Sequence, residues 1–349
     1  MRSNLLSRAF SLLLLALLAL LSAGAAQAQD AYFSQPFAAR LHTNPALAGL
    51  LDDYSATLLY RDQFPNLPGS YSTQQLALDV RLPTPGQHHA LGLLLSQDRS
   101  GALGYTRLEV SAIYAYHTRL TPALALSGGL GLTYGRQRVG YDNLLFGDQL
   151  GADGSLSGPS AEPLDFAPVN YLSVNPGIVF YTEQAWLSIA AHHLNKPTLG
   201  FRNQSLLPAR LSLGGGYKLF VRRPTTGKGA AAVSEISLTP TLAHTRQGGA
   251  SRTELGLSAT VAPVTMGAAY RNIRVGGGVE RLPVATFTVG VGVGAIRLGY
   301  CYDAGLSVRS ADLGGAHELS LSLRSFDHLE GAFRRLRRRA YPAAPFPAY

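Results

Sequence analysis

The chain has 349 residues, of which 38 are Gly, 17 Tyr and 13 Phe, while only 15% carry charge, well below the roughly one quarter usual in soluble proteins. A single cysteine, Cys301, excludes an internal disulfide framework and paired-thiol redox chemistry. The net charge of +9 would suit nucleic acid in a cytoplasmic protein, but the leader described next sends the chain elsewhere, and no nucleic-acid partner is expected.

Arg2 and Arg8 form a basic start, residues 12–21 are almost purely aliphatic, and Ala26-Gln27-Ala28 is the small-x-small pattern that a signal peptidase reads. Residues 1–28 are therefore read as a cleaved signal peptide, and Gln29 as the first mature residue. The residue directly after the site is Gln29 and not Cys, which argues against a lipid anchor. The apolar run is too short to stay as a spanning helix, and no later stretch reaches the roughly 18 apolar residues such a helix needs. Membrane residence must come from strands. Residues 29–53 precede the first strand as an arm, expected to plug what the strands enclose or to dock a periplasmic component.

From residue 54 the apolar positions recur with a period of two, the signature of strands. In 106–117, Thr106, Leu108, Val110, Ala112, Tyr114 and Tyr116 share one face, opposite Arg107, Glu109, Ser111, Ile113, Ala115 and His117. About fourteen such segments follow, at 54–61, 72–82, 89–98, 106–118, 123–135, 171–181, 185–193, 208–221, 234–244, 252–261, 265–271, 284–293, 296–302 and 316–324. An exported chain built this way predicts an all-β fold, a transmembrane antiparallel up-and-down β-barrel over 54–324. The even count returns both ends to the periplasm. Periplasmic joins are then expected at 83–88, 120–122, 182–184, 222–233, 262–264 and 294–295. External joins fall at 62–71, 99–105, 136–170, 195–207, 245–251, 272–283 and 303–315, all longer than a tight turn. The long 136–170 segment, with Leu144, Leu145, Phe146 and Leu150, is read as a disordered external tip or as folding in part into a plug or lid.

Tyr60, Tyr71, Tyr105, Tyr134, Tyr181, Trp186, Tyr217 and Tyr270 stand near strand ends, where interfacial girdles form. Gly128, Gly129, Gly131 and Gly214 to Gly216 mark bends or close backbone approach. Arg61, Asp79, Arg107, Glu109, Arg210, Glu254, Arg271 and Glu318 point inward by alternation and are expected to pair across the lumen. Residues 325–349 form a basic tail with Arg334, Arg335, Arg337, Arg338 and Arg339, read as solvated and facing anionic head groups or an acidic partner.

Chemistry is sparse. His192 and His193, as neighbours on a strand, should point to opposite faces and cannot share a metal. Ser111, His117 and Asp303 are conceivable members of a barrel-embedded hydrolase, but no motif selects them. Cys301 reads as a packing residue. No catalytic residue, cofactor or metal is expected. A general or substrate-specific porin is the rival from the transport class.

The mature start Gln29-Asp30-Ala31-Tyr32-Phe33-Ser34-Gln35 with Asn44-Pro45-Ala46-Leu47-Ala48-Gly49 resembles the opening of the PorP/SprF family of type IX secretion membrane proteins. Tyr60-Arg61-Asp62-Gln63-Phe64, Tyr114-Ala115-Tyr116-His117, His193-Leu194-Asn195-Lys196-Pro197, Leu298-Gly299-Tyr300-Cys301-Tyr302-Asp303 and His317-Glu318-Leu319-Ser320-Leu321 continue the likeness in order. Phe64 stands where the family usually has Trp, and Cys301 where it usually has Ser. The resemblance implies an outer-membrane barrel that works with type IX secretion components of Bacteroidota-like bacteria. It also implies a role in exporting a secreted adhesin-type client or anchoring it through its C-terminal domain, in some lineages with gliding motility. On the family motifs, the expected partner-binding positions are Arg61, Asp62 and Gln63 at the first external loop, Asn195, Lys196 and Pro197 at another, and Tyr302 with Asp303 at the last, all taken as exposed.

Overall fold

A computed structural model describes residues 30–324 apart from 68, 70, 83–87, 102–103, 141–145, 151–154, 156–157, 159–166, 200–204, 224–234, 276–279 and 308–312, together with 345–347. The leader, Gln29, the interior of the 222–233 join, Leu144 and Leu145, and the arginines of the tail lie outside the described residues.

The first half of the wall is β1 (Tyr54–Gln63), β2 (Tyr71–Arg81), β3 (His88–Ser100), β4 (Tyr105–Arg119), β5 (Ala125–Arg138), β6 (Val169–Tyr181) and β7 (Ala185–His192). The second half is β8 (Arg210–Tyr217), β9 (Leu219–Arg222), β10 (Ile236–Gln247), β11 (Ala250–Val261), β12 (Val264–Val275), β13 (Glu280–Val293), β14 (Ile296–Gly305) and β15 (Ala316–Arg324). Neighbours pair antiparallel all the way round, and β15 returns to β1 through Tyr60↔Leu319 and Arg61↔Glu318. Because the sheet closes on itself, most strand edges meet a neighbour, which is how a backbone can sit in hydrocarbon. β8 and β9 are one stave that keeps one register against β10 as far as Phe220, with Gly216 opposite Thr241 and Leu219 opposite Leu238, before a shift that sets Arg222 opposite Ile236. The break falls beside Pro240, which has no N–H to give the ladder. The wall therefore has fourteen staves, as the alternation predicts.

Strands run farther than the apolar pattern does, chiefly at the end away from the chain's entry into β1. β10 and β11, expected to be joined by seven residues, extend until only Gly248 and Gly249 remain between them. Gly248 takes a φ of 55° there, the conformation a two-residue hairpin demands. The expectation of long joins throughout that end is corrected on this point. Above the lipid level the ladder still pays in hydrogen bonds, while the side chains no longer need to alternate. The opposite end carries the tight turns, such as Gly294-Ala295 between β13 and β14, and is the periplasmic one.

Outward positions are apolar and exposed, with Leu132, Leu172, Leu255 and Leu319 among them. Tyr60, Tyr71, Tyr134, Tyr217 and Tyr270 also face outward as expected of a girdle, joined by Tyr114, Tyr116 and Tyr300. Tyr105, Tyr181 and Trp186 do not: Tyr105 has the inward parity of Arg107 and donates its hydroxyl to the buried Gln137 at 2.7 Å, and Tyr181 and Trp186 are buried and lumenal. Tyr181 shares the inward parity of Ser173, Asn175 and Val179 on β6, so alternation outranks nearness to a strand end.

The packed core lies inside the barrel, because the arm fills it. A short helix α1 (Arg40–Thr43) and a 3-10 turn (Pro45–Leu47) carry the chain down the lumen. Leu41 and Ala48 pack on Ala77, Ala90, Leu94, Ile113 and Ala115 of β2, β3 and β4, Phe33, Ala38 and Ala39 on Leu59 of β1, and Ala46, Leu47 and Leu50 on Ala125, Val179 and Tyr181 of β5 and β6. Small wall residues make room. A Cβ at Gly129 would strike the backbone of Pro45 and Ala46, and one at Gly177 the Asn44 amide. Gly129→Val is therefore expected to lift the 3-10 turn off the wall while leaving the strand pairing intact. Limited proteolysis should show a newly cut arm on a barrel that still migrates as a folded species; an arm as resistant as before would refute the contact.

Candidate functional site

The arm enters the strands at the periplasmic end and its first described residue, Asp30, lies near the outer end. Each stage of this path is held by side chains from the wall. At the top, the Tyr32 ring sits among three guanidinium groups, with Cζ of Arg252, Arg271 and Arg61 at 3.3, 4.4 and 5.7 Å from its centroid. Its hydroxyl donates to Glu254 Oε2 at 2.8 Å. Burial pushes that hydroxyl well above its ordinary pKa, outweighing Arg271, so it stays a donor.

Beside it, Ser34 and Gln35 form a clamp on β15. Their backbone N–H groups donate to Glu318 Oε2 and Oε1 at 2.7 and 2.9 Å. Ser34 Oγ donates to Asp303 Oδ2 at 2.5 Å and accepts from Arg61 Nη1 at 2.9 Å. Arg61 also bridges Asp303 at 2.8 Å and Glu318 at 3.1 Å, while Arg271 reaches Glu254 at 2.7 Å and Asp303 at 3.2 Å. The inward charges read from alternation do pair, but with nearby strands or with the arm and not across the lumen as expected. Asp30 likewise joins Arg107 at 2.8 Å, His193 at 2.9 Å and Arg210 at 3.3 Å.

Lower down, the Asn44 to Gly49 segment uses almost every polar atom. Asn44 Nδ2 donates to Ser188 Oγ, Ile189 O and Ile178 O, tying β6 to β7, and its Oδ1 accepts from Ala46 N to cap the 3-10 turn. Ala46 O accepts from Ser127 Oγ at 2.5 Å, and Ala48 O lies 3.0 Å from His117 Nε2. Gly49, at a φ of 62°, gives its N–H to Asp79 Oδ2 at 2.7 Å. Arg40 closes the bottom against Asp79 Oδ1 at 2.6 Å and bonds Ser55.

Two titrating groups of the arm tie this docking to pH. Burial alone would raise the Asp30 carboxyl, but Arg107, Arg210 and His193 hold it well below the usual carboxylate range. Burial, then the Arg210 charge, push the His42 imidazole down to about 3. A released arm takes up a proton at His42 as pH falls through about 6.5, whereas the docked arm resists until about 3. The released form binds more protons in that window, so docking weakens as pH falls. Asp30 acts with the same sign: its contribution is complete above the free value of about 3.9 and is lost as pH drops through the lower docked one. Protease sensitivity of the arm should rise between about pH 6.5 and 4, and His42→Gln should flatten that rise; an unaltered profile in the variant would remove His42 from the coupling.

Above the arm a cavity of about 440 Å³ remains, bordered by Tyr32, Gln63, Tyr71, Asp98, Arg252 and Arg271. On one side Leu199 and Leu207, from the described parts of the connection between β7 and β8, are buried against Tyr171. The sequence-selected positions separate here. Arg61 and Asp303 do meet, but both are buried and ion-paired in the lumen, which corrects their reading as exposed. Gln63 borders the cavity, and Asp62 and Tyr302 lie at the rim beside His317. Asn195 and Lys196 are exposed and Pro197 is half-buried. Asn195 ties its loop to β6 by donating to Leu172 O at 2.8 Å and accepting from Val174 N at 3.1 Å.

The expectation that His192 and His193 point to opposite faces fails. β7 ends at His192, and His193 takes a φ of 54°, so both side chains are buried inside. His193 spends Nε2 on Asp30 and Nδ1 on Ser173. Ser111, His117 and Asp303 are not brought together: they bond Thr133, Ala48 and the two arginines, respectively. Sequence reasoning missed Tyr32, Arg40 and Asp30 as clamp residues. Their signal was the presence of charges and a phenol in an arm that the sequence places inside the strands or beneath them.

A closed antiparallel cylinder with an apolar outer belt and a polar, chain-filled lumen defines an outer-membrane β-barrel. The model of the type IX secretion system membrane protein PorP/SprF matches residues 25–323. The chain belongs to that family. No curated protein matches it. Among solved structures it is similar to BamA from Haemophilus ducreyi lacking POTRA domains 1–3, at 8% identity over 78% of this chain and 70% of that one, with a TM-score of 0.40. CdiB from Acinetobacter baumannii gives 9% identity, 78% and 60% coverage and 0.42. The outer membrane protein Omp33 of Acinetobacter baumannii gives 7%, 79% and 100%, and 0.42.

Proposed function

We propose that the chain, after removal of residues 1–28, serves type IX secretion from the outer membrane, supporting the export or surface anchoring of an adhesin-type client through that client's C-terminal domain. A contribution to gliding motility in motile lineages belongs to the same reading. The single observation that carries it is the family match over residues 25–323. The arm's packing along the lumen supports a scaffold over a porin, since an open bore is what a porin needs. The exposed Asn195 and Lys196, the half-buried rim residues Asp62 and Tyr302, and the outer cavity bordered by the half-buried Gln63 are the surfaces offered to the client. Arg61 and Asp303 act beneath it by fixing the arm.

The test is affinity purification of the tagged mature chain from its own cells in mild detergent. Recovery of one large secreted protein, lost when that protein's C-terminal domain is removed, is the expected result. Recovery of no secreted protein, with normal surface display in a strain lacking the chain, would overturn the reading.

A further inference from the structure

The tail 325–349, expected to be solvated, is not so at its described residues. Pro345, Phe346 and Pro347 are buried, and Phe346, at 5% exposure, belongs to the same apolar cluster as Leu47, Leu50, Val179 and Tyr181. Its ring lies 5.1 Å from that of Trp186 and 5.6 Å from that of Phe37, which in turn meets Trp186 edge-on at 5.8 Å and 80°. Trp186 comes from the periplasmic start of β7 and faces the lumen. Its ring rests on Gly216 of β8, where a Cβ would collide with the indole. One side of the slot is therefore wall and the other is arm.

We infer that the periplasmic mouth carries a peptide site for a proline-flanked aromatic residue, occupied here by the chain's own Pro345-Phe346-Pro347. Three features support a binding site over a fixed piece of core. The segment from Tyr341 to Pro347 contains Pro342, Pro345 and Pro347, and such segments dock on aromatic surfaces with little conformational entropy to lose. Among the described residues, Pro345 to Pro347 join no strand, and Phe346 is held by apolar and ring contacts. A cavity of about 130 Å³ bordered by Phe37, Leu47, Trp186, Phe346 and Leu213 lies beside the ring, so Phe346 is not enclosed by packing on every side. Covalent attachment through residues 325–344 gives the segment a high effective concentration, and a modest intrinsic affinity then suffices to keep it in place. A periplasmic protein presenting the same kind of segment competes for the slot, and one that grips this C-terminal segment empties it. This inference concerns the mouth and stands apart from the assignment to secretion.

The chain has one tryptophan, so Trp186 reports the slot directly. In the mature full-length protein in detergent, Phe346→Ala should move its emission to longer wavelength and raise its quenching by acrylamide, with the folded gel mobility retained. A chain ending at Ala344 should behave the same way and recover the original emission, saturably, when the synthetic peptide Ala-Ala-Pro-Phe-Pro-Ala-Tyr is added. A peptide with Ala for Phe should bind at least about tenfold more weakly, as the loss of one buried aromatic ring implies. Unchanged emission and quenching in the Phe346→Ala protein would overturn the inference, and so would equal recovery with the Ala peptide.

Discussion

Arg61→Met is expected to weaken the closed state by about 3–5 kcal/mol, the range for removing one partner from a buried ion cluster. The size follows from what remains. Arg61 is 5% exposed and serves Asp303, Glu318 and Ser34 at once. Without it, Glu318 keeps the two arm N–H groups but no guanidinium, and Asp303 keeps only Arg271 as an ionic partner among the described residues. The uncompensated carboxylate is the costly part, so Arg61→Met with Glu318→Gln should recover some of the loss. Arg223 and Glu183 provide the contrast: they lie 3.4 Å apart but are 58% and 63% exposed, and breaking such a pair should cost about 0–1 kcal/mol. Thermal unfolding followed by the loss of folded gel mobility measures all three. If Arg61→Met unfolds at the wild-type temperature, the cluster does not hold the arm.

The outer face of this protein was legible in its sequence, and the inner face only in part. Lipid imposes one rule on every second residue, so Leu76, Leu78 and Leu255 reveal their face locally, without knowledge of any partner. Lumenal residues answer to groups far away in the chain. Glu318 looks like an ordinary inward charge until Ser34 and Gln35, more than 280 positions earlier, arrive with their N–H groups. Gly129 and Gly216 could be flagged as close approaches, but neither says that the visitor is Pro45 in one case and the Trp186 ring in the other. His193 shows the reverse failure. Alternation was applied one residue past the end of β7, where a positive φ turns the chain and reverses the face. The arm motif around Asn44 could be matched as a pattern, while its use as a bridge between β6 and β7 needed the fold.

Deleting Asp30 to Pro45 is expected to convert a silent barrel into a conducting one. Eight strands enclose only enough room for side chains, whereas sixteen to eighteen leave an aqueous channel; fourteen staves lie between, and here the difference is filled by the arm. Removing it takes Tyr32, Ser34, Gln35, Arg40, Leu41 and Asn44 out of the lumen together, and water must replace them. The wall should survive this. Its ladders do not depend on the arm, and Arg107, Arg210 and Asp79, which lose Asp30 and Arg40, regain hydration in the opened bore. The apolar lining at Ala77, Ala90, Leu94 and Ile113 becomes wet, so thermal stability should fall while the folded gel mobility persists. Liposomes containing the deleted form should swell in small sugars, and those containing the intact chain should not. Swelling by both would mean that the arm does not seal the lumen, which would revive the porin reading. Silence from both, with the deleted form still folded, would assign the seal to the connection that carries Leu199 and Leu207 and leave the arm a purely structural filling.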